Sequence, residues 1–185
     1  IFKQTDLAKS LTYISKNGHH AFYKGEIAKK MVTFMKQKNG LITSKDLAEY
    51  QPKFRAPITG NYRGYTIKSM PPPSSGGISL MQLLKLIEPY PLNEWGHNSA
   101  RTVHIMSEAM QLVYADRAEW LGDEDLVDVP KKGLLSAPYL NSRRNQINPN
   151  SHTNSVKTEY GIPFESDETT HYSIIDKWGN AVSVT

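Results

Sequence analysis

Residues 165–185 read ESDETTHYSIIDKWGNAVSVT, and the fold turns on how this stretch is taken. Its apolar and polar residues alternate as in two β-strands. Three acids in four positions, Glu165, Asp167 and Glu168, stand directly ahead of two adjacent threonines, Thr169 and Thr170. A threonine that opens a strand is usually only a good β-former. Its hydroxyl becomes a nucleophile when a base sits beside it, and the α-amino group of a chain-terminal threonine is such a base, with a reference pKa of about 7.7–8.0. An amide nitrogen has no basic lone pair, so that chemistry requires the peptide bond before the threonine to be cut. Residue physics leaves Thr169 and Thr170 equivalent at this point.

Upstream, residues 148–168 carry almost no apolar periodicity and are rich in Asn, Ser, Thr and acids. They read as a polar, exposed and mobile connection. Before it, residues 123–147 read as a loop and a short helix starting near Ser136. The longest expected helix spans about 98–121, with Val103, Met106, Met110, Val113 and Trp120 on one face. His104 and Glu108 stand four residues apart on it, a weak zinc pattern and more simply a surface pair. Arg117 continues the apolar face, which calls for a buried ion pair or carbonyl clamp, with a substrate contact as the alternative.

Residues 56–70, APITGNYRGYTIKSM, change period from helical to alternating and read as a hairpin. PPPSSGG at 71–77 follows, ahead of a buried helix in ISLMQLLKLIEPY. Its glycine pair either makes a turn or offers N–H groups to an anion. The first forty residues read as two amphipathic helices. One has Leu7, Leu11 and Ile14 behind a Thr5/Asp6 cap and stops at Gly18. The other has Ile27, Met31, Phe34 and Met35 in one stripe and stops at Gly40. A third short helix begins at Thr43 or Ser44.

The chain of 185 residues is 38% hydrophobic and 22% charged, values of a globular protein rather than a disordered one. No apolar run reaches the ~20 residues of a membrane span. With no cysteine in the sequence, disulfides, thiol nucleophiles and thiolate metal sites are excluded, and neither a metal nor another cofactor is expected. The net charge is +4, and the basic residues form no block interleaved with aromatics, so nucleic-acid binding is not expected. Lys29, Lys30, Lys36 and Lys38 read as a solvated helix face. A start at Ile1 and an end at Thr185 suggest a piece of a longer protein.

Five blocks carry a resemblance to a known family: FYKGEIAKKMV (22–32), GLITSKDLAEY (40–50), NYRGYTIKSMPPPSSGG (61–77), the long block 96–136 from GHNSARTV to KKGLLS, and ETTHYSIIDKWGNAVSVT (168–185). In this order they resemble the γ-glutamyltranspeptidases, N-terminal-nucleophile hydrolases made as one precursor that cleaves itself into two subunits. The resemblance implies an α+β fold, part of an αββα sandwich to which this segment contributes mostly helices and a few strands. It implies that residues 1–168 are the C-terminal part of the large subunit and 169–185 the start of the small one. Thr169 would then be the nucleophile and Glu168 the last residue before the cut. The implied reaction passes the γ-glutamyl group of glutathione or a related donor to an amino acid, a peptide or water through a γ-glutamyl-threonine ester.

His171 falls on the same side of a strand as Thr169, either supporting the site or packing the strand. Ser74 and Ser75 would shape a loop near the site or touch substrate. The family's carboxylate-gripping arginine, second threonine and oxyanion glycines lie outside residues 1–185. The partners implied are therefore the remainder of both subunits, besides donor and acceptor, and the isolated chain is expected to be inactive. Periplasm or secretion is the implied location. The alternatives are a cephalosporin acylase or capsule transpeptidase of the same superfamily, and a cleavage-deficient homologue acting as an interaction module.

Overall fold

The computed structural model describes residues 2–163, 172–175 and 181–184, the last two stretches as backbone only. They form two units, 1–54 and 55–185. The first holds α1 (Thr5–Asn17), α2 (His19–Tyr23), α3 (Glu26–Gln37) and α4 (Ser44–Glu49). Gly18, at φ 66°, ends α1 with its N–H on the Ile14 carbonyl. Three expectations need correction. Thr5 and Asp6 lie inside the first turn of α1, whose N-cap is Gln4 without a side-chain cap bond. The first forty residues hold three helices rather than two, since α2 stands between the expected pair. In α3 the buried side chains are Ala28 and Val32 while Phe34 is exposed, because α3 meets its neighbours α2 and α4 through its smallest apolar residues. The core here is Ala28, Val32 and Leu47 with Met31 against it, and no residue of α1 is buried. Lys29, Lys30, Lys36 and Lys38 are exposed, as expected of a solvated face.

Helix α4 shows why its sequence starts where it does. Thr43 Oγ1 accepts from Asp46 N–H (3.3 Å), and Asp46 Oδ2 accepts from Thr43 N–H (2.7 Å). This reciprocal capping box satisfies two donors that a helix start otherwise leaves open, and it selects Thr43 over Ser44 as the cap.

The second unit opens with β1 (Ile58–Tyr62) and β2 (Tyr65–Ser69), an antiparallel hairpin in the register Ile58↔Ser69 to Tyr62↔Tyr65. Arg63 and Gly64 make its two-residue turn, both with positive φ (48° and 86°), the backbone that matches strand twist in tight hairpins. The Pro72–Pro73 peptide is cis, and α5 (Gly76–Ile87) follows. A side chain at Gly77 would overlap the Met70 carbonyl and the Ile58 side chain, so glycine is what allows α5 to lie on the hairpin.

After α6 (Leu92–Trp95), α7 (Ala100–Trp120) packs along α5, followed by α8 (Lys131–Leu134) and α9 (Ala137–Arg144). Ser136 caps α9, as its position predicts; α8 is an addition, a single turn too short to show a period. Leu86, Ile87, Ile105, Ala109, Leu112, Val113 and Ile147 form one apolar cluster. Ile58, Ile78, Met81, Val129, Leu134 and Tyr139 form a second, joined by partly buried Trp120. The chain from α9 toward the C-terminus includes a 3₁₀ turn at Ser155–Lys157. In the last stretch β3 (Tyr172–Ile175) pairs antiparallel with β4 (Ala181–Val184), the two strands read in its alternation. The molecule is thus mixed α+β with helix dominant among the described residues.

Candidate functional site

Helix α7 carries the site. Ser99 Oγ accepts from Thr102 N–H at 3.2 Å and caps it, which sets the phase of the helix. The buried positions are Thr102, Ile105, Glu108, Ala109, Leu112, Val113 and Asp116, whereas Val103 and Met110 are exposed. The stripe predicted from Val103, Met106 and Met110 is therefore rotated by about one residue. Two carboxylates, Glu108 and Asp116, lie on the real one.

Both carboxylates are used. Glu108 Oε1 accepts from Thr153 N–H (2.9 Å) and Oε2 from Thr153 Oγ1 (2.5 Å). Farther along, Gln111 Oε1 accepts from Thr158 Oγ1 (3.1 Å). Asp116 Oδ1 accepts from Gly161 N–H (2.9 Å), and Trp120 Nε1 donates to the Gly161 carbonyl (2.8 Å). Residues 153, 158 and 161 thus follow positions 108, 111, 116 and 120 in order. The segment runs beside α7 for twelve helical residues, roughly 18 Å at 1.5 Å each. The segment is largely exposed, as its composition predicts, and up to residue 163 it is a strap seated by directed hydrogen bonds. Its polar composition gives no apolar period because its anchors are polar.

Arg143 on α9 locks the strap from the other side. Its Nη2 lies 2.9 Å from Asp116 Oδ1, and both side chains are essentially without solvent contact. The guanidinium also donates to the carbonyls of Leu112 (2.9 Å) and Glu159 (3.0 Å) and to Gln146 Oε1 (3.2 Å). Gln82 Nε2 from α5 donates to Asp116 Oδ2 (3.1 Å) and to the Leu134 carbonyl (3.3 Å). A buried pair is costly unless further hydrogen bonds meet its other donors and acceptors; these bonds meet most of them, while Arg143 Nε, Gln82 Oε1 and the Tyr139 hydroxyl have no hydrogen-bond partner among the described residues. Tyr139 closes the group: burial first, and after it the neighbouring Asp116 carboxylate, push its phenol well above the ordinary range, so it stays protonated. A side chain on Gly161 would meet the Tyr139 hydroxyl at 2.5 Å and Arg143 Cδ at 2.9 Å. The cavity under the strap, lined by Glu108, Gln146, Thr153 and Glu159 among others, holds about 180 Å³, below the ~300 Å³ of small-molecule pockets.

The proline loop behaves differently from one of its two readings. Gly76 N–H donates to Ser74 Oγ (3.2 Å) and Gly77 N–H to the Met70 carbonyl (3.1 Å), so these groups are occupied by the chain itself and the anion reading is corrected. Ser75 Oγ accepts from Arg117 Nε at 2.9 Å. Arg117 is exposed, lies over the Tyr114 ring at 5.8 Å, and ties α7 to the loop. The buried ion pair expected for Arg117 belongs instead to the residue before it, since the helix phase turns Asp116 inward. His104 and Glu108 do not converge either, because His104 Nε2 sits on the Asn148 carbonyl at 2.8 Å.

Glu168, Thr169 and His171 lie outside the described residues. Ser75 is brought together with Arg117 while Ser74 bonds Gly76 within its own loop, and the strap's last tight anchor, Gly161, precedes Glu168 by seven residues. Sequence reasoning missed Arg143 and the inward turn of Asp116, and it gave Trp120 and Glu108 no part in holding the strap. The spacing 105, 109, 112, 116 was a usable signal, since it places a carboxylate in line with an Ile–Ala–Leu stripe.

A sequence model of the gamma-glutamyltranspeptidase family matches residues 1–185. The glutathione hydrolase proenzyme of Escherichia coli K12 is 48% identical over 98% of this chain and 32% of its own length. An acylase ACY 1 proenzyme of Pseudomonas sp. SE83 is 37% identical over 98% of this chain and 32% of its own. Among solved structures, the gamma-glutamyltranspeptidase of Helicobacter pylori superposes with a TM-score of 0.78 at 40% identity, covering 91% of this chain and 48% of that one. The chain spans about a third of the length of these curated relatives. With its helices and strands arranged as in those N-terminal-nucleophile hydrolases, and its whole length matched, the chain belongs to the gamma-glutamyltranspeptidase family.

Proposed function

We propose that this chain is the part of a γ-glutamyltransferase precursor that contains its own cleavage point, and that Thr169 is the nucleophile of both maturation and turnover. The observation that carries the reading is the family match through residues 168–185, where ETTHYS places two threonines behind the acids Glu165, Asp167 and Glu168. In maturation, Thr169 Oγ attacks the Glu168 carbonyl carbon and its proton passes to the departing amide nitrogen. The product is a Glu168 ester on Thr169 Oγ and a free α-amine. Water then opens the ester to a Glu168 carboxylate and a free hydroxyl, now beside its own amine as base.

In turnover the same hydroxyl attacks the γ-carbonyl of a γ-glutamyl donor and expels the donor's amine. An amino acid, a peptide or water then takes the acyl group from the ester. The name of the Escherichia coli relative supports glutathione as donor and water as acceptor. The Pseudomonas acylase supports a second reading, hydrolysis of another amide by the same nucleophile; a donor panel on the matured protein separates them. Residues that hold the donor and the oxyanion are supplied by the rest of both subunits, and His171, Ser74 and Ser75 support the site rather than react. Export to the periplasm or medium is part of the proposal.

Intact-mass analysis of the full-length protein tests it: a chain starting at Thr169 is expected. Thr169→Ala abolishes both that chain and activity, whereas two normal subunits from this variant would overturn the assignment. The 185-residue chain alone is expected to leave a γ-glutamyl anilide intact, because a nucleophile without its oxyanion donors loses most of its transition-state stabilisation.

A further inference from the structure

Gly161 is held at both of its backbone polar groups, its N–H by Asp116 and its carbonyl by Trp120, and Arg143 holds the Glu159 carbonyl two residues earlier. A strap that merely crossed the surface would need none of this, since water satisfies exposed backbone. Here a buried ion pair and an indole are spent on one glycine, which Tyr139 and Arg143 crowd so closely that no Cβ fits. The Glu168–Thr169 bond lies in the eight residues, 164–171, between the buried Pro163 and β3. Attack by a hydroxyl on the carbonyl of the preceding residue needs a backbone geometry that a free polar peptide samples rarely. Restricting the chain on one side of the bond raises that fraction, and misplacement by about 1 Å can cost ~10²-fold in rate.

We propose that the Asp116–Arg143–Trp120 clamp on Gly161 is the positioning device for self-cleavage, acting on maturation and not on turnover. This rests on the reading of Thr169 as the nucleophile. Trp120, Asp116 and Arg143 are positioning residues, since they act through Gly161 and touch no reacting atom.

The test uses the full-length precursor. Trp120→Phe removes the N–H donor and keeps a ring against Tyr160, its edge partner at 5.8 Å. Gly161→Ala sets a Cβ against the Tyr139 hydroxyl and Arg143 Cδ and changes no residue of α7 or α9. The rate at which the Thr169-starting chain forms is expected to fall severalfold in Trp120→Phe and at least ~10-fold in Gly161→Ala. The matured fraction of each, counted by active-site titration, retains wild-type kcat/KM. Thermal unfolding is compared in a Thr169→Ala background, where every variant stays uncut, and the Trp120→Phe midpoint is expected to match its parent. Wild-type maturation rates in both variants overturn the clamp. So does a loss of kcat/KM that parallels the loss of maturation, which marks a general structural role. If Thr169→Ala itself matures normally, the nucleophile reading falls and the clamp falls with it; if Thr169→Ala stays uncut while the clamp variants mature at full rate, only the clamp falls.

Discussion

The two units are built on opposite terms. Residues 1–54 bury little: their core is Ala28, Val32 and Leu47, and Leu7, Leu11, Phe34, Leu41 and Phe54 stay exposed. Residues 55–185 bury two apolar clusters and, against them, five polar side chains, Gln82, Thr102, Glu108, Asp116 and Arg143. The first unit spends its long apolar residues on its surface, while the second takes charge into its interior. Burying Asp116 and Arg143 costs desolvation that hydrophobic side chains of similar size avoid. What the charge obtains in return is direction: apolar contacts cannot hold one backbone amide at a chosen point, and the Asp116 carboxylate holds Gly161.

The sharpest way to break this contrast is to remove one member of the buried pair. Arg143→Met leaves Asp116 buried without its cation, and the second unit is expected to lose about 3–5 kcal/mol in urea unfolding followed by tryptophan fluorescence. Restoring neutrality with Asp116→Leu in the same chain recovers only part of this, because Gly161 N–H then lacks its acceptor and the Gln82 amide keeps only the Leu134 carbonyl. Full recovery would mean that the strap is held by packing alone.

Next in size is a matched pair of truncations. Ile105 has no solvent contact and lies in the cluster between α5 and α7, so Ile105→Ala is expected to cost about 2–5 kcal/mol. Leu11, on the apolar stripe of α1, is 57% exposed, and Leu11→Ala should stay within about 0.5 kcal/mol. The two urea midpoints measured side by side decide it. A large loss at Leu11 would show that the stripe of α1 is covered in solution.

How much of this was legible follows from the kind of signal each part leaves. Local devices write themselves into neighbouring residues: the Arg63–Gly64 turn, the Thr43/Asp46 box and the Ser136 cap are all readable within four positions. Helix phase is weaker, because it depends on which face finds a partner. In α3 the large Phe34 stays exposed while Ala28 and Val32 are buried, and in α7 Met110 stays exposed beside buried Ala109. The strap was unreadable by composition, since residues 148–163 are anchored through Thr153 and through the main chain of Glu159 and Gly161, and backbone anchors leave no residue pattern. The proposed nucleophile rests on family resemblance, as the physics of ETTHYS alone treats Thr169 and Thr170 alike.

The smallest effect lies at the surface, where each unit uses the same device. Each pins a carboxylate to a backbone N–H: Asp46 to Thr43 in the first, and Glu88 to Arg63 at 2.8 Å in the second. The Lys85 ammonium, and after it the Arg63 N–H, hold the Glu88 carboxyl below the usual carboxylate range. Because its folded pKa is the lower one, the contribution of Glu88 is complete above the unfolded value of about 4.3 and is lost as pH falls through the folded one. Glu88 is partly exposed and the Lys85 pair is an i,i+3 surface contact, so screening limits the effect to roughly 0.5 kcal/mol or less. Wild type should therefore exceed Glu88→Gln in urea midpoint at pH 7 by a margin that closes toward pH 3. A margin that persists at pH 3 would assign the effect to the shape of the side chain rather than its charge. It would also separate Glu88 from the hydrogen-bonding logic that the Asp46 box displays in the other unit.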